Sequence, residues 1–456
     1  MRLPLMLFLI GAAAFAAFAG QRLKIHSNDN HFVYLADAFL HGQAELTRTP
    51  HHQNDWASYD VLTLKGGSAE KLGPQVRGFF TQRPGKPNEF RTLDGDEIAI
   101  PSRDRGESRR RYFVSFPPMP AVLMMPFVAV TGFGTNDVLF TVLFAGLNTM
   151  LVFLLLQRLA ARGYSRRSRD ENLWLTVLFA FGSAHLWCGV LGRVWFTALI
   201  VGVTFNLLYL ICAIDARRPF LAGLALAAAF ATRASLVFAA LFFYWQLVRP
   251  ASGEPRERAD LVRRFVAFSL PCLIVGVALL GYNHARFGHV TQFGHIYLAN
   301  GTLVRIRDFG LFHPDFLNRN LTAAFTLLPR FTSEAPFVQF SRHGLSIFFT
   351  TPALALLLWP LRRHRLARAL GVTTAVVAVP LLFYQNTGWE QFGYRFLLDV
   401  MPYLICCLAL GDRPLTRFVK ALIIAGVLIN ALGAVTFQRG GMTKLYGNFM
   451  CEEPTR

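Results

Sequence analysis

Asp137-Val138-Leu139-Phe140-Thr141-Val142-Leu143-Phe144-Ala145-Gly146-Leu147-Asn148-Thr149-Met150-Leu151-Val152-Phe153-Leu154-Leu155-Leu156-Gln157-Arg158 carries no charge between its two ends. At ~1.5 Å per helical residue such a run reaches across the hydrocarbon core of a bilayer. It empties into a short basic segment that holds Arg158, Arg162, Arg166, Arg167 and Arg169. An apolar run of spanning length followed by clustered arginines is the signature of a membrane-crossing helix with its basic end in the cytoplasm.

The rest of the 456-residue chain repeats that pattern: 53% of it is hydrophobic and 16% charged. This is too apolar for a soluble enzyme. The net charge of +19 sits in short loops between apolar runs, so topology and anionic lipid explain it, and no basic-aromatic module for nucleic acid appears. Five of the six cysteines (Cys188, Cys212, Cys272, Cys406, Cys407 and Cys451) lie in apolar segments, and none has zinc or disulfide spacing.

About eleven segments read as spans: Leu3–Gly20, Asp137–Arg158, Asn172–Val190, Val194–Ile214, Pro219–Ala231, Ala234–Val248, Phe265–Asn283, Gly344–Leu361, Ala369–Gln385, Phe396–Leu410 and Phe418–Phe437. Pro219–Ala231 is the weakest of them, because its helix is shorter than the core is thick. Alternate loops carry the arginines: after the 158–169 group come Arg217 and Arg218; Arg249, Arg256, Arg258, Arg263 and Arg264; Arg362, Arg363, Arg365 and Arg368; and Arg413 and Arg417. Those loops belong inside, which leaves the long polar loops together on the exported face. The expected fold is an all-α polytopic membrane protein with juxtamembrane helices and a small β-rich insertion in its first exported loop. Its parts are a first helix (1–20), an exported loop (21–136), helices two to seven (137–283), a second exported loop (284–343), and helices eight to eleven with a short exported C-terminus (344–456). The first apolar segment, ending Ala17-Phe18-Ala19, reads either as a cleaved secretory signal or as an uncleaved first helix.

Function should sit on the exported loops. The first opens with Ser27-Asn28-Asp29-Asn30-His31, followed by an amphipathic helix over Phe32–Leu40 that Gly42 stops. A hairpin is expected around Asp94-Gly95, and Ala121–Val130 is expected as a helix lying along the outer membrane surface. Asp29 stands a few residues beyond a membrane boundary, where it can bind or deprotonate a substrate hydroxyl arriving from outside. The competing explanation is a helix N-cap.

The order of motifs resembles the GT-C superfamily of polytopic glycosyltransferases, which includes protein O-mannosyltransferases and lipid A aminoarabinose transferases. The residues that carry the resemblance are Asp29…Tyr34-Leu35-Ala36…Leu40…Gly42, Phe116-Pro117-Pro118 before a surface helix, and Gly223-Leu224-Ala225…Thr232-Arg233. Tyr282-Asn283…Arg286-Phe287-Gly288 and Gly388-Trp389…Phe392-Gly393-Tyr394-Arg395-Phe396-Leu397…Pro402 complete it. The resemblance implies transfer of a sugar from a polyprenyl-phosphate donor to a glycan, lipid or protein acceptor hydroxyl, in cell-envelope glycan or glycoconjugate synthesis. It places the protein in a plasma membrane of bacterial inner-membrane type with the active face extracytoplasmic, and it implies inversion by direct displacement.

On that reading Asp29 is the catalytic base. A lipid-linked phosphate needs cations at membrane depth, for which Arg395, Arg233, Arg286 and Arg193 are the candidates; the competing role for each is a snorkelling or anchoring arginine. His31, Tyr59, Tyr282, Asn283, His343, Trp389, Glu390 and Tyr394 are candidate substrate-lining residues, against the alternative of an interfacial aromatic belt. Asp37 more naturally faces solvent. His26, His31, His41, His51 and His52 lack diagnostic metal spacing, and Gly189-Val190-Leu191-Gly192-Arg193 has no second carboxylate, so no metal site is assigned and a divalent ion is not favoured. The rival class is a transporter or flippase of lipid-linked glycan, but neither inverted repeats nor midplane helix breaks are visible in the sequence.

Overall fold

The computed structural model describes residues 2–52, 54–81, 88–298, 303–359, 364–411 and 413–450. Arg362, Arg363, Cys451 and the end of the Gly344–Leu361 run lie outside the described residues. The chain forms two compact units: residues 1–30, 136–275 and 311–456 make a helical unit, and residues 31–135 with 276–310 make a mixed one.

Among the described residues, six helices are long and apolar enough to cross a membrane: Arg2–Lys24, Asp137–Ala161, Val194–Ala216, Arg258–Phe287, Arg365–Leu382 and Arg417–Thr436. That is the build of an integral membrane protein, and six of the eleven expected runs are such helices. The remaining runs are helical only in pieces. Asn172–Val190 divides into Arg169–Ala180 and His185–Gly189, and Gly344–Leu361 becomes a four-residue turn, Ile347–Thr350, and a 3-10 stretch from Pro352. Pro219–Phe230 has twelve residues, and Phe396–Leu410 splits between a 3-10 turn and Met401–Leu410. Thr351-Pro352 shows one reason: proline supplies no N–H to the preceding turn. Broken backbone at membrane depth is tolerated where protein buries it.

In the helical unit the first helix packs on Asp137–Ala161 through small residues, with the Gly146 Cα so close to Ala12 that a Cβ would meet it at 2.8 Å. Asp137–Ala161 and Val194–Ala213 run side by side, tied by Thr141–Thr197 at 2.7 Å and by Thr204 donating to Asn148 at 2.6 Å. The arginine-bearing loops gather at one end of this unit. Arg167 donates to the carbonyls of Leu408 and Gly411, Arg256 to that of Leu247, and Arg264 to that of Ala216. Tyr164 donates to the Asp215 carboxylate, and its ring also meets His364.

The mixed unit has a five-stranded antiparallel sheet of order β4-β3-β2-β1-β5, built from β1 (Trp56–Leu64), β2 (Gln75–Phe80), β3 (Glu89–Thr92), β4 (Glu97–Ala99) and β5 (Arg105–Val114). The β3–β4 hairpin turns at Asp94-Gly95, as the sequence predicts. The helix His31–Leu40 ends before Gly42 at φ 72° and packs on Met119–Thr131. One side of the sheet is closed by Tyr59, Phe113, Phe287, Tyr297 and Leu298.

Candidate active site

Asp29 is 3% exposed, on the loop between the first helix and the end of the helical unit's first segment. Two neighbours set that loop. Asn136 caps the helix Asp137–Ala161 and donates to the Leu23 carbonyl at 2.8 Å, while the Asp137 carboxylate accepts from the Ser27 backbone at 2.7 Å and its hydroxyl at 2.6 Å. The Asp29 carbonyl then accepts from the Val194 N–H at 3.0 Å. Its carboxylate lies 3.3 Å from Arg193, the residue just before the helix Val194–Ala213. Gly192 makes this approach feasible: a Cβ there would fall 2.5 Å from the Val138 nitrogen and 2.7 Å from the Asp137 carboxylate. The Asp29 carboxylate is thus engaged by a side chain from a distant segment.

One turn beyond Arg193, Phe196 supports Arg395, whose guanidinium carbon stands 5.3 Å from that ring's centroid. The Phe396 ring is shared: Arg395 lies 5.6 Å from its centroid and Arg233 5.5 Å. A descending series of side chains therefore links Asp29 and Arg193 at the helix end to Arg395, Phe396 and Arg233 within the bundle. Tyr394 and Tyr384 also pack on Phe396. The Tyr394 hydroxyl is buried and finds no hydrogen-bond partner among the described residues, and burial pushes its phenol pKa up.

Arg233 lies well inside the helical unit. A Cβ on Gly202 would meet the Arg233 side chain at 2.8 Å, and Gly202 is nine residues beyond Arg193, or about 13 Å along a helix. The turn between Pro219–Phe230 and the next helix is thus inside the unit rather than at its outer end, because a twelve-residue helix does not reach the rim. Both sides of the Arg233 fork are engaged by Asp399, at 3.0 and 2.7 Å, and Ser235 donates to the same carboxylate at 2.7 Å. Asp399 was missed by sequence reasoning, yet its signal was available: a carboxylate inside an apolar run.

Two loops hold Arg395. The Gln391 side chain donates to the carbonyls of His343 (2.7 Å) and Thr387 (2.8 Å) and accepts from the Arg395 N–H at 2.9 Å. Gly388, at φ 103°, leaves room for that amide, since a Cβ would lie 2.4 Å from its oxygen. His343 contacts Thr387 at 2.9 Å and stacks obliquely on Trp389 at 4.7 Å, while Glu390 pairs with Arg342 at 2.9 Å. Trp389 remains 37% exposed. His343, Trp389, Glu390, Tyr394 and Arg395 are therefore brought together, with Gln391, unforeseen, as the residue that binds the two loops.

The other expected residues belong to the mixed unit and are occupied there. His31 is fully buried, stacked on Trp56 at 3.7 Å and hydrogen-bonded to the Asn54 carbonyl at 3.0 Å. Tyr59, 2% exposed, donates to the Arg286 carbonyl at 3.0 Å. Arg286 donates to the Val114 carbonyl and to Asn283 (2.7 Å) and lies 3.8 Å from the centre of Tyr282; Asn283 in turn donates to the Val290 carbonyl. These five are held by local aromatic and carbonyl partners, and the buried Tyr282 hydroxyl finds no hydrogen-bond partner among the described residues. Asp37 is buried rather than solvated, accepting from Thr47. Among the described residues no group of three metal-ligating side chains occurs.

No family model matches the chain, and no curated protein matches it. Among solved structures it is similar to an oligosaccharyltransferase from Archaeoglobus fulgidus in the apo form (TM-score 0.47, 11% identity), over 100% of this chain and 61% of that one. It is also similar to the archaeal oligosaccharyltransferase AglB from the same organism, in complex with an inhibitory peptide and a dolichol-phosphate (TM-score 0.46, 10% identity), over 95% of this chain and 56% of that one. The chain spans about three-fifths of the length of these structures. At such distances the likeness decides nothing about the site.

Proposed function

We propose that the protein is an integral membrane glycosyltransferase that moves a sugar from a polyprenyl-phosphate donor to an acceptor hydroxyl on the extracytoplasmic side. The observation that carries this reading is the series from Asp29 and Arg193 down to Arg395, Phe396 and the Arg233–Asp399 pair. It offers a carboxylate at the rim and guanidinium groups below it, as a reaction between a water-borne hydroxyl and a membrane-borne phosphate requires.

In this mechanism the acceptor oxygen attacks the anomeric carbon, and the bond from that carbon to the phosphate oxygen breaks. The bonding electrons leave with the phosphate, and the hydroxyl proton passes to Asp29. A singly charged phosphodiester becomes a phosphomonoester with added negative charge, so cations at the leaving group favour the transition state over the ground state. Arg395 is assigned that role. Arg193 holds the Asp29 carboxylate in place, and Arg233, fixed by Asp399, forms the charged floor beneath Arg395. Trp389, with its exposed face beside His343, is placed to receive the sugar, and Glu390 and Tyr394 border it.

The test is turnover by purified protein in liposomes supplied with a polyprenyl-phosphate sugar and candidate acceptors. Release of polyprenyl phosphate with a glycosylated product supports the reading. Movement of intact donor between leaflets without turnover supports the flippase class instead.

A further inference from the structure

The arginine-rich end of the helical unit contains a cavity that the proposed reaction does not use. The segment Arg249-Pro250-Ala251-Ser252-Gly253-Glu254-Pro255 leaves the helix Ala240–Val248 and turns at Gly253, where φ is 78°. A Cβ at Gly253 would lie 2.7 Å from the Arg365 guanidinium, so this loop is shaped around that group. Arg365 and Arg368, one turn apart at the start of Arg365–Leu382, lie on the same helical face. Together the two segments border an open cavity of about 400 Å³, lined by Trp245, Val248, Arg249, Glu254, Arg365 and Arg368 among others.

Three guanidinium groups against one carboxylate give this lining a positive excess. Several neighbouring arginines at this end have partners of their own: Arg167 pairs with Glu171 and Arg264 with Asp260, while Arg256 donates to the carbonyls that end Ala240–Val248. Among the described residues, Arg249, Arg365 and Arg368 have neither an ion pair nor a side-chain hydrogen bond. A solvated basic surface would explain three free arginines, but it would not explain their convergence on one cavity with an apolar wall. Val248, 70% exposed, and Trp245 form that wall. The volume is of the size that holds a small organic group rather than a lone ion.

We propose that this cavity binds the phosphate of an anionic lipid headgroup, with Arg249, Arg365 and Arg368 on the phosphate and Trp245 and Val248 against the glycerol and acyl stem. Guanidinium forks match phosphate oxygens in geometry as well as charge, and tryptophan at a membrane interface favours a ligand that is polar at one end only. Free phosphate shares the first feature and lacks the second.

The test uses full-length protein in nanodiscs of phosphatidylcholine with a tenth of phosphatidylglycerol, with retained phosphatidylglycerol counted by native mass spectrometry. Arg365→Gln/Arg368→Gln and, separately, the loop variant Arg249→Gln should each lower retention at least fivefold. Arg166→Gln/Arg169→Gln, which alters exposed arginines at the same end outside the cavity, should leave it unchanged. Equal loss in both sets, or no loss in the cavity variants, overturns the proposal. Displacement of the lipid by millimolar inorganic phosphate, with binding of phosphate itself, overturns the lipid assignment. None of these readouts depends on glycosyl transfer.

Discussion

Arg233 and Arg286 are both arginines at the margin of apolar helices, and the two units use them differently. Arg286 in the mixed unit is taken up by a backbone carbonyl, a neighbouring amide and two aromatic rings, so that its charge is spread over local packing. Arg233 in the helical unit faces a carboxylate from a distant segment, 166 residues away, and shares an aromatic ring with a second guanidinium. The first arrangement ties one loop to one helix. The second concentrates ionised groups where the helices are broken, which is costly in an apolar setting and is usually kept for chemistry.

Substitutions at five positions can break or sharpen that contrast. Replacing Asp29 by Asn should lower transfer by about 10²–10⁴-fold, the range for losing a general base, with the protein still folded at the assay temperature. Asp399→Asn should be the most damaging to the fold, by about 3–5 kcal/mol, because it leaves Arg233 buried without its counter-charge. Thermal unfolding in detergent measures this, and Arg233→Gln added to Asp399→Asn should restore part of the loss. Arg395→Gln should lower kcat by about 10²–10³-fold. Arg395→Lys should recover only some of it, since a point charge lacks the planar fork. Arg286→Gln should have the smallest effect on turnover and act on stability, by about 1–3 kcal/mol from acceptors left without a donor. Limited proteolysis within residues 31–135, at unchanged donor KM, checks that difference.

Much of the architecture is visible in local sequence. Apolar length marks the long helices, Gly42 marks the end of His31–Leu40, and Asp94-Gly95 marks the hairpin, since each depends on residues close in the chain. The gathering of the arginine loops at one end also follows from simple alternation. What escaped was set by distant partners. The pieces Ile347–Thr350 and Pro352–Leu358 read as one apolar run, and only their packing shows that they do not form one helix. His31 looked available for a substrate because the Trp56 ring that covers it lies twenty-five residues further on, across an irregular loop. Asp137 looked like a span boundary, whereas it anchors Ser27 and thereby the loop that carries Asp29. In the proposed site, Asp29 and Arg395 are candidates that the sequence offers, whereas Gln391 is not, because its importance lies in three hydrogen bonds to other residues.

The central claim is that the acid and the guanidinium groups open to the exported face while the arginine loops stay inside. Labelling intact cells with a membrane-impermeant thiol reagent tests it, using Asn28→Cys, Glu390→Cys and Arg166→Cys introduced singly into a Cys451→Ser background; the chain's described cysteines are buried or half-buried and give little background. The account predicts that the first two react from outside and that Arg166→Cys reacts only after the membrane is opened. Labelling of Arg166→Cys in intact cells, with protection of positions 28 and 390, would contradict it.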